Sequence, residues 1–251
     1  MDSFISWIGG KKILRKKIIE QFPEHGTYER YVEVFGGAGW VLFSLERHAQ
    51  IEVYNDINGN LINLFRCIKY HSNAVQEELR YTLNSREQFF DAKEQLELRG
   101  MTDIQKAARF YILIKESFAS DLHSYGLQAH DIEKATEYLD KISKRLRKVV
   151  IENLDFQRVL HNYDRKNTLF YLDPPYYEAE KYYSDRFIPD DHIRLKESLD
   201  HIKGKFVLSY NDCEYIRKLY NEYKIIEIER ANNLVNSDTK PRFKELIIKN
   251  F

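Results

Sequence analysis

Tyr31-Val32-Glu33-Val34-Phe35-Gly36-Gly37-Ala38-Gly39, then Trp40 to Arg47, then Ile51-Glu52-Val53-Tyr54-Asn55-Asp56, is the stretch on which the fold turns. Tyr31 to Phe35 has the apolar, β-branched character of a strand, and the glycine cluster marks a sharp turn after it. The apolar run from Trp40 to Arg47 reads as a helix, and Ile51 to Tyr54 as a second short strand closed by Asn55-Asp56. Strand, glycine turn, helix, strand and acid form the opening of a βαβ nucleotide-binding unit. Glycines at such a turn, Gly37 and Gly39 among them, let the backbone approach a ligand and leave helix amides free to face it. Asp56 ends the second strand, where a carboxylate can accept both hydroxyls of a ribose. Glu33 and Phe35 stand at the same crevice. No Gly-Lys-Ser/Thr follows the glycines, so the phosphate loop of nucleotide triphosphatases is absent.

Downstream, the pattern changes and then returns. From about Leu61 to Leu146 apolar residues recur at helical spacing, with Phe89, Phe90, Leu96 and Leu98 on one segment and Phe110, Tyr111, Leu113 and Ile114 on the next. Strand patterns resume at Val149-Val150-Ile151, Leu169-Phe170-Tyr171-Leu172 and Lys205 to Ser209, with a helical segment around His192 to Ile202. Lys224 to Ile228 and Glu245 to Ile248 suit an antiparallel hairpin at a sheet edge. The expected fold is α/β: one Rossmann-like sheet built from residues 1–60 and 148–251, interrupted by a mostly helical insertion at 61–147.

At 251 residues the chain suffices for one such domain with an insertion, and 43% hydrophobic content supplies its core. Lysine plus arginine and aspartate plus glutamate both number 39, which neither favours nor opposes nucleic acid, because binding needs only a local basic face. Cys67 and Cys213 make neither a disulfide framework nor a metal-ligand spacing, and His123, His130 and His192 are scattered, so no metal is expected. Met1-Asp2-Ser3-Phe4 does not open a signal sequence and no run is long enough for a membrane span; a cytoplasmic protein is expected.

The second decisive motif is Asp173-Pro174-Pro175-Tyr176, at the C-terminal end of the strand Leu169 to Leu172. Ligands of α/β sheets bind at that edge. Two prolines fix φ and remove two backbone donors, leaving carbonyls free to accept. An acid beside such a carbonyl suits an NH₂ group with its two donors, and the Tyr176 ring suits stacking on a base swung out of a helix. Gripping both hydrogens of an exocyclic amine restores lone-pair density on its nitrogen. Positioning and electrostatics then suffice for a direct displacement.

These motifs, in this order, resemble the Dam-like family of DNA adenine N6-methyltransferases. Trp7-Ile8-Gly9-Gly10-Lys11 looks like its N-terminal cofactor motif, Glu33 to Gly39 its glycine motif, Asp56-Ile57-Asn58 its adenosine-contacting strand end, and Asp173 to Tyr176 its catalytic motif. Phe206 to Asp212 and Arg242 to Asn250 match the family's later strands. The resemblance implies S-adenosylmethionine as methyl donor, held by Trp7, Lys11, Asp56 and Asp173, with Lys11 on the cofactor's carboxylate. It implies catalysis by Asp173, Pro174 and Tyr176 on double-stranded DNA, with the insertion reading the sequence. A cognate restriction endonuclease and a monomeric or weakly dimeric state are compatible with it. Where the family often carries an Asn-Arg-x-Gly-Tyr-Asn-Gly-like stretch, this chain has Ile114-Lys115-Glu116-Ser117-Phe118-Ala119-Ser120, so no recognition sequence carries over.

Candidate DNA contacts are Lys115 and Ser117 in that stretch, Lys144 and Arg145 in the basic run from Lys141 to Lys148, and Tyr183. Tyr177, Tyr182 and Tyr183 suit a loop closing on a flipped base, with plain packing as the alternative. Trp40 is expected to pack under the sheet. Two other functions compete. Cytosine N4 methylation uses the same amine chemistry, but those enzymes usually carry serine at the place of Asp173. A catalytically silent DNA- or cofactor-binding protein would bind without turnover.

Overall fold

The structure, a computed structural model, describes residues 1–126, 136–178, 187–231 and 242–251. Its centre is a sheet whose described strands are β1 Arg30–Glu33, β2 Ile51–Asn55, β3 Val149–Glu152, β4 Thr168–Leu172, β5 Lys205–Asn211, β6 Lys224–Ala231 and β7 Arg242–Lys249. They lie in the order β3-β2-β1-β4-β5-β7-β6. β1 to β5 pair in parallel, and β7 runs antiparallel between β5 and β6. Parallel strands covered on both faces must be apolar throughout, and all five residues of β4 are buried. The chain moves outward from β1 to β2 and β3, then returns beside β1 as β4 and continues to β5. That reversal opens a crevice beyond the C-terminal ends of β1 and β4.

Alternate residues of each strand face opposite layers. Tyr31, Tyr54, Leu169, Tyr171 and Val207 join the helices that follow β2. Val32, Val53, Phe170, Leu172 and Leu208 meet three later helices, α6 Phe156–Tyr163, α7 Pro189–Asp200 and α8 Glu214–Leu219. A short α1, Arg15–Ile19, precedes β1. Between β2 and β3 come α2 Gly59–Arg80, α3 Arg86–Glu97, α4 Asp103–Glu116 and α5 Leu139–Leu146. Polar residues start three of them: Asn58, Ser85 and Thr102 each accept a backbone N–H of the first turn. α2 bends where His71 leaves helical geometry, at φ −137° and ψ 35°.

The helical segment and the sheet share one core. Phe65 of α2 stacks on Tyr54 of β2 with ring centres 4.2 Å apart, and Leu61 and Leu64 lie in the same cluster. α5 buries Leu139, Ile142 and Leu146 and turns Arg145 inward. The Arg145 guanidinium grips both oxygens of Glu52 on β2, at 2.7 and 2.8 Å, and donates to the carbonyls of Leu42 and Leu45.

The sheet anticipated from the strand patterns and the family resemblance is the one observed, and Lys224 to Ile228 pairs with Glu245 to Lys249 as the edge hairpin. One local expectation fails. Trp40 to Arg47 is not a helix; only Leu42–Ser44 makes a 3-10 turn. Trp40, Val41, Leu42 and Phe43 are all buried, so the run lacks the polar face of a surface helix, and its last side chain, Arg47, bonds to the Ala49 and Gln50 carbonyls. The helix expected around Phe89, Phe90 and Leu96 is α3, on which Phe89 is buried and Phe90 exposed, with Leu98 exposed just past its end. No helix among the described residues is long and apolar enough to cross a membrane.

Candidate active site

The crevice at the ends of β1 and β4 is lined by Trp7, Lys11, Glu33, Phe35, Gly37, Asp56 and Asp173, all singled out from the sequence. Its floor on the β1–β2 side is made of backbone. Gly36 lies so close to Tyr54 that a Cβ there would come within 2.2 Å of the tyrosine ring, and the Tyr54 hydroxyl donates to the Gly37 carbonyl at 2.5 Å. Gly37 takes φ +49°, a conformation that favours glycine, and a Cβ on it would approach the Trp7 ring to 3.1 Å. Gly39, at φ +68°, closes the turn by donating to the Gly36 carbonyl and does not line the crevice.

Asp56 fastens this turn. One carboxylate oxygen accepts Gly37 N–H at 2.8 Å and the other accepts Asn58 N–H at 2.9 Å. Beside it the buried Asn55 side chain donates to the carbonyls of Val34 and Leu154 and accepts Leu154 N–H, tying three strand ends together. Phe35, Phe156 and Phe187 form an aromatic wall, with ring centres about 6 Å apart. Trp40 is buried, but it packs against the N-terminal segment, with Lys12 and Arg15 over its ring.

The β4 side carries charge. Asp173 Oδ1 lies 2.7 Å from the Lys11 ammonium and accepts the Ser209 hydroxyl at 3.0 Å. Lys11 also donates to the Gly9 carbonyl at 3.0 Å, stands 3.4 Å from Glu245 Oε1, and lies over the Tyr176 ring. The Tyr176 hydroxyl donates to that same Glu245 oxygen. Burial pushes the Asp173 carboxyl up to about 6, with Lys11 pulling it down and Glu245 pushing it further up. Burial also raises Glu33 to about 8, against the Tyr31 hydroxyl that donates to it at 2.7 Å.

Lys11 therefore pairs with Asp173 here, where the resemblance placed it on a cofactor carboxylate. Glu245 and Ser209 escaped the sequence reading; the available signal was an acid set inside the apolar strand β7. Of the proposed DNA contacts, Lys144 is exposed, whereas the Arg145 guanidinium is engaged with Glu52 and backbone carbonyls. Lys115 lies over the Tyr111 ring, and burial lowers its ammonium. Ser117 is buried. Tyr182, Tyr183 and His130 fall outside the described residues. Tyr177 does not face the crevice: it stacks on Tyr215 at 4.2 Å.

A glycine-floored crevice at the switch point of a 3-2-1-4-5-7-6 sheet, with an acid and two prolines after β4, defines a Rossmann-like protein with a ligand site at the strand ends. The chain belongs to the D12 class N6 adenine-specific DNA methyltransferases, whose family pattern it matches over residues 7–234. It is 26% identical to the Type II methyltransferase M.MjaIII of Methanocaldococcus jannaschii, across 99% of this chain and 98% of that protein. It is 24% identical to the DNA adenine methylase of Haemophilus influenzae, across 97% and 92%. Against the Type II methyltransferase M.CviBI of Paramecium bursaria Chlorella virus NC1A the identity is 22%, across 92% and 90%.

Proposed function

We propose that this DNA adenine methyltransferase takes its methyl group from S-adenosylmethionine and acts on an adenine swung out of duplex DNA, with Asp173 gripping the N6 amine. The observation that carries the reading is a partly buried acid, Asp173, at the wall of the glycine-floored crevice. The residues present fit the donor: a Cβ on Gly37 would crowd Trp7 at the crevice wall, and the aromatic wall, Asp56 and a carboxylate suit an adenine, a ribose and a sulfonium in turn. Phe35, Phe156 and Phe187 would flank the adenine, Asp56 the ribose, and Trp7 and Asp173 the methionine end. When bound, S-adenosylmethionine supplies an electrophilic methyl that the amine nitrogen takes by direct displacement.

The chain's own groups do the rest. Ionised Asp173 accepts an amine hydrogen and, with the Pro174 carbonyl, concentrates the nitrogen's lone pair toward the methyl. A carboxyl near pH 6 also suits receipt of the proton that leaves once the nitrogen is methylated. The Tyr176 ring supplies the stacking face for the flipped base. Residues 1–60 and 148–251 serve as the catalytic domain, and 61–147 reads the target. Exposed Lys144 lies near Lys69 and Arg147, a cluster suited to phosphates.

The test is methyl transfer from labelled S-adenosylmethionine to unmethylated duplex DNA, followed by nucleoside analysis. Label in N6-methyldeoxyadenosine is expected. Label in N4-methyldeoxycytidine would move the target base. Cofactor binding without transfer on any DNA would make the chain a silent binding module.

A further inference from the structure

We propose that Glu245 is a positioning residue for methyl transfer: it takes the Lys11 ammonium when the adenine amine displaces that ammonium from Asp173, and it steadies the Tyr176 ring meanwhile. The inference rests on the reading of Asp173 given above. Asp173 Oδ1 already accepts from both Lys11 and Ser209. While Lys11 stays there, the carboxylate's charge is neutralised and that oxygen has little capacity left for an amine N–H. Lys11 is buried, and an ammonium withdrawn from its partner inside a protein costs several kcal/mol unless another acceptor takes it. Glu245, buried and already 3.4 Å away, is that acceptor. Closing this gap to a charge-assisted bond of about 2.8 Å needs only a small swing of the lysine, which keeps its bond to the Gly9 carbonyl.

Glu245 is held for the task by the sheet. It pairs with Asn211 of β5 and Ile228 of β6, so its backbone is fixed on both sides. Its Oε1 meets both the Tyr176 hydroxyl and Lys11, so one acid holds the stacking ring and the mobile cation together. Among the described residues, the groups facing this centre include Lys11 from the N-terminal segment, Glu33 from β1, Tyr171 from β4, Tyr176 after it, Ser209 from β5 and Glu245 from β7. The Glu245 charge raises the Asp173 carboxyl and the Lys11 charge lowers it.

The test is single-turnover methyl transfer against pH for the wild type, Glu245→Gln, Lys11→Gln and the double variant. Wild type locates an acid limb near pH 6, set by Asp173. In E245Q the carboxylate that would take over Lys11 becomes a neutral amide, Lys11 stays on Asp173, and the plateau rate falls by up to about a hundredfold, the scale of a lost positioning contact. The acid limb moves to lower pH, because the raising charge has gone. In K11Q it moves to higher pH, and adding E245Q to K11Q changes the rate by less than about threefold, since the two act as one unit. The limb position does not depend on the fraction of enzyme that folds, so a destabilised E245Q still gives an answer. An unchanged rate and limb in E245Q would overturn the handover, as would an equal loss in both backgrounds. A wild type that shows no transfer, or an active Asp173→Ala variant, would instead sink the reading on which the inference rests.

Discussion

At the β1–β2 end of the crevice, polar groups are answered by backbone: Asp56 holds two N–H groups, and Asn55 binds three strand ends. At the β4–β5–β7 end, charge answers charge: Asp173, Lys11 and Glu245 meet with Tyr176 and Ser209 between them. The first end is a fixed shape whose hydrogen bonds are made before any ligand arrives. The second is a balance of ions that must rearrange for an amine to be gripped. Substitutions at the first end should therefore change affinity or stability, and substitutions at the second should change rate.

The sharpest way to break this contrast is Asp173→Ala. Transfer measured with labelled cofactor should fall by about a thousandfold or more, as when an oriented transition-state partner is lost. Calorimetric affinity for S-adenosylmethionine should move far less. A variant that loses cofactor affinity while its saturated rate survives would place Asp173 at the wrong end of the comparison.

Arg145→Ala tests what roots the fixed end. The guanidinium and Glu52 are both almost fully buried, and removing one partner strands the other charge away from water. Breaking such a pair costs about 3–5 kcal/mol of stability, readable from urea unfolding. The neighbouring Lys144→Ala, on the exposed side of the same helix, should stay within about 0.5 kcal/mol. Equal losses at both positions would mean that the ion pair carries no special share.

Asp56→Ala should lower affinity for S-adenosylmethionine by about ten- to a hundredfold, the worth of hydrogen bonds to a charged group. The rate at saturating cofactor should remain near wild type. A collapse of that rate with affinity intact would show that the glycine turn shapes the reaction and not only the ligand.

The same contrast explains what was legible in the sequence. Gly36, Gly37, Asp56 and Asp173 could be read because strand ends and turns dictate residue type locally. Strand positions followed from apolar runs. Ser209 and Glu245 were not read as site residues, because they come near Asp173 only through the pairing of β4 with β5 and of β5 with β7, which no local pattern specifies. Arg145 was read as part of a basic run, although Ile142 and Leu146 place its helix face toward the core, and the buried acid on β2 is its counterpart. Trp40 to Arg47 misled because its first four residues, Trp40 to Phe43, are apolar without a period; all four are buried, and the chain makes only a 3-10 turn there. Tyr177 misled because aromatic residues beside a site also serve the core, here by stacking on Tyr215.

Glu33 sits between the two ends and gives the mildest test. It lies on β1 beneath the glycine turn, and burial above all, with the Asp173 charge adding a smaller share, raises its carboxyl to about 8 from an ordinary 4.5. A carboxyl raised on folding holds a proton in the native state that the unfolded chain has already released between those two pH values. Stability is therefore lost as pH rises through that window, and the loss is complete above about pH 8. Glu33→Gln keeps an acceptor for the Tyr31 hydroxyl and has no proton to lose, so its melting temperature should match wild type near pH 5 and exceed it progressively toward pH 9. Parallel melting curves across that range would mean that Glu33 is ionised when folded. The charged end would then reach under the glycine turn, and the boundary between fixed shape and mobile charge would have to be drawn elsewhere.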